Sequence, residues 1–379
     1  MVRPFLVLFL ATILTANSAL AAQDSRSTDL RDAERFAFAP SSEAAKIVAI
    51  DLYLGEMAAI IDLPKAPGDI LVSKFMGMLF ATDPDAQAIY PVLLSTQEVG
   101  PAFDIGLRPQ NAVLETQGQF AAFWDNTGSI AVWDLKNIRA IYRSDGYLPD
   151  AQISFSPDGL SLYIVEGLKN RMIVVDLQSA EIVASVPLTL DQPSQQISAV
   201  SRSMDGRAGY IAVTDHNKLL VLDLINLAIV EEIETPKGPL RPYNTTYGRY
   251  VLVPNRDARS VLILDATNHN VLKTIPTKVT PSNINSGWFE SRAYVMSKHQ
   301  DTIDVIDLDA LTRLPSISLP TLSDQGVVSA DMRTLATALP DTGEVIFINA
   351  AAGEIGATIA TGVFGISGVQ IGASNNICH

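Results

Sequence analysis

One short pattern recurs along this chain and limits what it can fold into. An apolar run ends in Asp and then resumes: IVAIDL at Asp51, IAVWDL at Asp134, MIVVDL at Asp176, LLVLDL at Asp223, VLILDA at Asp265 and IDVIDL at Asp307. The run VIFINA puts Asn349 in the same place. From Asp134 onward the intervals are 42, 47, 42, 42 and 42 residues. The 83 residues between Asp51 and Asp134 leave room for one further copy, and a degraded one, Ala88–Ser95 (AIYPVLLS), sits near the middle. The chain therefore carries eight units.

The unit is clearest at Gly248–Pro276. Tyr250–Val253 is an apolar run, Asn255–Arg259 a polar turn, Val261–Asp265 an alternating run and Val271–Ile275 a third run. Short apolar runs separated by turn residues mark strands. A period of roughly 40–45 residues built from strands marks a β-propeller with one four-stranded blade per repeat. A lone blade has two apolar faces and no core, so it is stable only when stacked on neighbours. The expected fold is all-β: a single propeller of eight four-stranded blades, with seven as the runner-up count. The recurrent Asp reads as a structural brace, a short carboxylate that accepts backbone N–H bonds in the turn that follows.

The two ends of the chain support a ring. The first unit offers Arg35–Pro40, Lys46–Leu52 and Met57–Leu63 but no innermost strand, while Gly365–Ala373 is a strand left over after the eighth signature. Closure of the ring by the C-terminal strand joining the N-terminal blade removes two open sheet edges at once. The other inner strands are expected at Asp69–Lys74, Ala112–Glu115, Ala151–Phe155, Ile197–Val200, Arg241–Thr246, Ile284–Trp288 and Gln325–Ala330. The one long interval places an insertion at Leu190–Gln196, on the way into the fifth inner strand.

Residues 1–21 read as a secretory signal, with Arg3 before the apolar Phe5–Leu14 and a small-x-small site at Ala19-Leu20-Ala21. Residues 22–34 are polar and read as a mobile lead-in, 35–373 as the propeller and 374–379 as a tail. A periplasmic location follows from that signal, with no stable membrane span after cleavage, because the apolar run is short for a bilayer. One cysteine, Cys378, rules out an intrachain disulfide. Once Arg3 leaves with the signal, 41 acidic residues face 26 basic ones, so nucleic acid is a poor partner. CxxCH, HExxH, Gly-rich phosphate-loop and G-x-S-x-G motifs are absent.

In a propeller the loops leading into the inner strands share one mouth of the channel with the loops joining second and third strands. The ligand-binding candidates there are Arg108, Arg241, Asp215, Asn255, Arg256 and Asp257. The three arginines suit a carboxylate or phosphate ligand; the alternative is that each pairs with a nearby Asp. His216 and His299 occupy matching loops beside acidic residues and are the metal candidates, against a reading as exposed turn residues. His269 falls on the opposite mouth, and Trp124 and Trp133 read as blade packing.

The units Tyr250–Pro276 and Ala293–Pro320 resemble YVTN-type β-propeller repeats. Tyr250-Val251, Asn255 and Val305-Ile306-Asp307 match, while Pro254-Asn255 and Ser297-Lys298 replace the Thr-Asn step. The resemblance spans nearly the whole mature chain and is to the repeat class. It implies an exported protein of a group that includes periplasmic binding proteins, heavy chains of quinoprotein amine dehydrogenases, haem-d1 propellers and lactonases. Haem-d1 propellers are eight-bladed and usually use a His on the iron at the channel mouth, and the resemblance makes His216 or His299 the candidate for that role. Three functions follow as expectations: a non-catalytic binding or scaffold module for a periplasmic protein or small ligand; a quinoprotein-type heavy subunit or haem-linked factor; and a periplasmic metal carrier. No catalytic residue is assigned and the cofactor is unknown.

Overall fold

The computed structural model describes residues 28–32, 34–323 and 325–372. The chain forms eight antiparallel sheets, and blades two to eight are each wound from the channel outwards in sequence order. In blade four, for example, the order is Gln152–Phe155, Ser161–Glu166, Arg171–Asp176 and Glu181–Pro187. Blade seven splits its outer strand, so that Thr312–Arg313 and Ile317–Ser318 both pair with Thr302–Asp307. The degraded unit is a full blade, with Ala88–Leu93 as its third strand. In blade one, Gln370–Ile371 pairs with Phe36–Pro40, so the ring closes through the C-terminal strand.

Eight hydrophobic clusters hold the ring, one at each junction between successive blades. Val327, Ala336 and Phe347 of blade eight pack with Ala37, Val48 and Ile371 of blade one, and Tyr210 and Leu219 of blade five pack with Val251 and Val253 of blade six. Alternation explains this. Each strand sends one set of side chains to the preceding blade and the other set to the next. Both faces are therefore dry, and middle strands such as Ser260–Asp265 are buried almost throughout. Each fully buried Leu, Ile or Val contributes about 1.5–3 kcal/mol.

The recurrent Asp is the brace the pattern implied. Asp51 Oδ1 accepts from the N–H of Tyr53 and Leu54, Asp223 from Ile225 and Asn226, Asp265 from Thr267 and Asn268, and Asp307 from Asp309 and Ala310. Asn349 does the same for Ala351 and Ala352. Four residues after each signature position the backbone turns to positive φ: Gly55, Gln97, Ile138, Ala180, Leu227, His269, Leu311 and Gly353. This is the left-handed residue of a hairpin turn. Only two of the eight are glycine, so six blades accept a strained side chain there.

Three expectations shift. Regular pairing in the fifth inner strand begins at Ser201–Arg202 and not at Ile197–Val200, which runs alongside through the Ile197–Val213 bridge and the Ser198 N–H to Ala212 O bond. In the sixth the regular strand is Tyr243–Asn244: one hydrogen-bonded pair further on, Arg241 faces Pro254, which has no N–H to donate, and contact resumes through the Leu240 N–H to Pro254 O bond. The lead-in is not free at residues 28–32: Leu30 is fully buried among Phe36, Phe38 and Leu79, and its N–H bonds to Leu94 O. The signal and the tail beyond 372 lie outside the described residues.

Candidate functional site

The inner strands all start at one mouth, so their first residues ring the channel. A cavity of about 290 Å3 occupies this end of the lumen and takes its walls from seven of the eight blades. Four polar side chains stand at the heads of alternate inner strands: Asp69 before Ile70–Ser73, Gln152 opening Gln152–Phe155, Arg241 ahead of Tyr243–Asn244, and Gln325 before Gly326–Val328. These are blades two, four, six and eight. In an eight-blade ring Asp69 therefore lies across the channel from Arg241, and Gln152 across from Gln325. Gln370 lies one layer deeper and Trp124 closes part of the wall.

Among the described residues of this lining, Asp69 and Arg241 are the charged ones. Asp69 Oδ1 accepts from the Ile70 N–H at 2.8 Å and from Gln370 Nε2 at 3.0 Å. Both bonds favour the carboxylate, but its removal from bulk water outweighs them and pushes its pKa up to about 6. Its solvent contact is with the lumen. The Arg241 guanidinium donates through Nη2 to Val200 O at 3.3 Å. Arg241 also borders a second cavity of about 370 Å3 that opens between blades six and seven beside Tyr243, Pro254 and Asn283.

The other residues singled out from sequence do not join this lining. Arg108 is exposed and lines a separate cleft of about 440 Å3 beside Gln110, Asp125 and Thr127. Arg256 pairs with its neighbour Asp257 through Nε at 2.9 Å, and the two hold each other charged. Asp215 braces the Leu190–Gln196 insertion, accepting from Ser194 Oγ at 2.5 Å and the Gln195 N–H at 2.9 Å. Asn255 is buried and donates its amide to Val253 O at 2.9 Å. That is the place where Asp83 and Asp125 hold the corresponding loops in blades two and three. None of the described cavities takes in two of the three arginines.

His216 closes a one-turn 3-10 helix, Thr214–His216, and the His299 N–H donates to Ser297 Oγ at 3.3 Å. Among the described residues no three His, Cys, Asp or Glu come together as a metal site. His269 holds the left-handed turn position, with Nδ1 3.2 Å from Glu231 and its ring edge-on to Tyr210. It borders a cleft of about 550 Å3 on the opposite mouth, between blades five and six. That cleft is larger but draws on two blades only. Trp133 is buried against Phe103 with Arg143 over its ring, as blade packing requires, whereas Trp124 is part of the lumen wall.

Asp69, Gln152, Gln325 and Gln370 were not singled out from sequence. A signal existed, since each opens or lies in a short inner strand at the repeat interval. It is a weak one, because these strands are two to five residues long and carry none of the Asp signature.

Comparisons with known proteins agree with the architecture. No family model matches the chain. A curated relative, the uncharacterized protein YncE of Salmonella typhi, is 27% identical over 132 residues, which is 35% of this chain and 37% of the relative's length. Among solved structures, dihydro-haem d1 dehydrogenase NirN in complex with DHE superposes with a TM-score of 0.76 at 16% identity, over 94% of this chain and 79% of that one. Apo AztD of Citrobacter koseri gives 0.65 at 14% identity, over 89% and 97%. Hydrazine synthase of Kuenenia stuttgartiensis gives 0.55 at 18%, over 78% and 96%. The chain is an eight-bladed propeller. No helix among the described residues is long and apolar enough to cross a membrane.

Proposed function

We propose that this chain is an exported, non-catalytic binding module that holds a small ligand at the mouth of its channel. The observation that carries this reading is the cavity of about 290 Å3 at the head of the inner strands, which combines a half-buried carboxylate, a guanidinium and several amides. Its size is at the low end for small-molecule sites, and a few convergent polar groups on a rigid wall are what such sites use. The ring supplies rigidity, because each lining strand is clamped between two blades. Periplasmic location rests on the signal sequence at residues 1–21.

A haem-linked or subunit role is the second reading. The likeness to NirN over 94% of this chain favours it, and His216 and His299 on loops of this mouth are its candidate iron ligands. One experiment separates the two. The mature protein is purified gently from its own host and examined by native mass spectrometry and visible absorption. A small added mass, absent from an Ala199→Trp variant whose lumen is blocked, supports the binding module. A Soret band or a co-purifying polypeptide favours the second reading. The apo mass alone, with no ligand recovered from a periplasmic extract, removes the first.

A further inference from the structure

Asp69 differs from the other sequestered acids of this ring. Asp51 is paired with Arg35, and Glu166 with Lys169 and Arg171. Asp304 has no cation but fills both oxygens, Oδ2 from the Lys278 and Val279 N–H groups and Oδ1 from Ser316 Oγ. Asp69 does neither. The two bonds its carboxylate accepts among the described residues, from the Ile70 N–H and from Gln370 Nε2, both end on Oδ1. Oδ2 accepts none, no nearby charge offsets the burial of the group, and its open side is the lumen. Two further acceptors line the same cavity. Gln370 spends Nε2 on Asp69, and Gln152 spends Nε2 on Asp150 O at 3.1 Å, so each keeps its amide oxygen to offer. Arg241 stands across the channel with bonds of its own inside the protein, the one to Val200 O among them, and asks nothing of a ligand.

We propose that the lumen binds small primary amines in their ammonium form, with the charged nitrogen on Asp69 and the carbon chain along the apolar wall. This rests on the binding-module reading above and deepens it. A primary ammonium carries three N–H donors and no acceptor, which matches Asp69 Oδ2 and the oxygens of Gln152 and Gln370. Its charge offsets that of a carboxylate already taken out of bulk water, so the pair buries no uncompensated ion. Leu71, Val113 and Ala199 give the carbon chain a dry surface. An anion would meet the Asp69 charge, and a neutral alcohol would leave it without a cation. The volume of about 290 Å3 suits a compact molecule.

The test is calorimetric titration of the mature protein with methylamine, butylamine and benzylamine. The controls are 1-butanol, butyrate and tetramethylammonium, which lack in turn the charge, its sign and the N–H donors. At least one amine should bind about tenfold or more tighter than every control, the usual worth of a hydrogen bond to a charged group. Asp69→Asn should abolish the preference for amine over alcohol. That variant keeps Oδ1 and its two bonds, and circular dichroism checks its fold. Amine affinity should fall as pH is lowered from about 8 to about 5, through the value of about 6 at which Asp69 takes up a proton, and Asp69→Asn should show no such fall. Arg241, the other charged group of this lining among the described residues, stays protonated throughout. A control that binds as tightly as the amines, an unchanged preference in Asp69→Asn, or no binding of any amine overturns the proposal. If no amine binds while the host-purified protein carries another ligand that Ala199→Trp excludes, the amine assignment fails and the binding module stands.

Discussion

Asp69 and Arg241 head inner strands four blades apart and share one cavity, so an acid and a base sit on opposite walls of a single lumen. The arrangement costs stability. Asp69 has a raised pKa, so the native state holds its proton after the unfolded chain has released it. Stability should fall as pH rises from about 4 to about 6 and stay low above that, by up to about 3 kcal/mol. Asp69→Asn should remove this slope. The variant should melt above the parent at pH 8 and with it at pH 4, as read by thermal denaturation. A parent and variant that differ equally at both values would refute the assignment.

Asp51 behaves in the opposite sense. It is 2% exposed. Burial opposes its charge, but the Arg35 guanidinium at 2.7 Å and the N–H groups of Leu54 and Tyr53 together hold its pKa below the usual value of 3.8. Its contribution is present above that value and is lost as pH falls through the lowered one. Asp51→Ala should cost about 2 kcal/mol at pH 7, since Arg35 is partly solvated, and less in strong acid. Urea unfolding at the two pH values measures the difference.

Ile138 holds the left-handed turn position of blade three with φ 48° and is exposed. A β-branched side chain is strained there, and little burial compensates. Ile138→Gly should raise stability by about 1 kcal/mol, whereas the same change at Ile182, an exposed strand residue, should lower it. Melting temperatures of the two variants decide this.

The ring closes through a two-residue strand. Ile371 is 6% exposed and belongs to the cluster that joins blade one to Val327, Ala336 and Phe347 of blade eight across the last junction. Ile371→Ala should cost about 2–4 kcal/mol. Because it loosens the seam, amide exchange should accelerate first in Phe36–Pro40 and Gly326–Val328, with blades four and five unaffected. Uniform acceleration would mean that the seam is no weaker than the other junctions.

Architecture was legible because the sequence repeats it. An Asp at the end of the third strand in six of the blades braces a turn of a few residues, and its effect is local, so Asp134, Asp223 and Asp307 announced the blades without tertiary information. Blade count and ring closure followed from the period and from the unmatched strands at the two ends. The candidate site was legible only in part. Arg241 was expected at the mouth and lies there, while Arg108, Asp215, Asn255, Arg256 and Asp257 serve other clefts, loops and pairs. Loops that share a mouth still point their side chains in different directions, and spacing along the chain carries no record of that. Asp69, Gln152 and Gln325 became neighbours because eight blades closed a circle. A residue 172 positions from Asp69 stands opposite it through the angle that the closed ring imposes, and that angle exists only after every junction has packed.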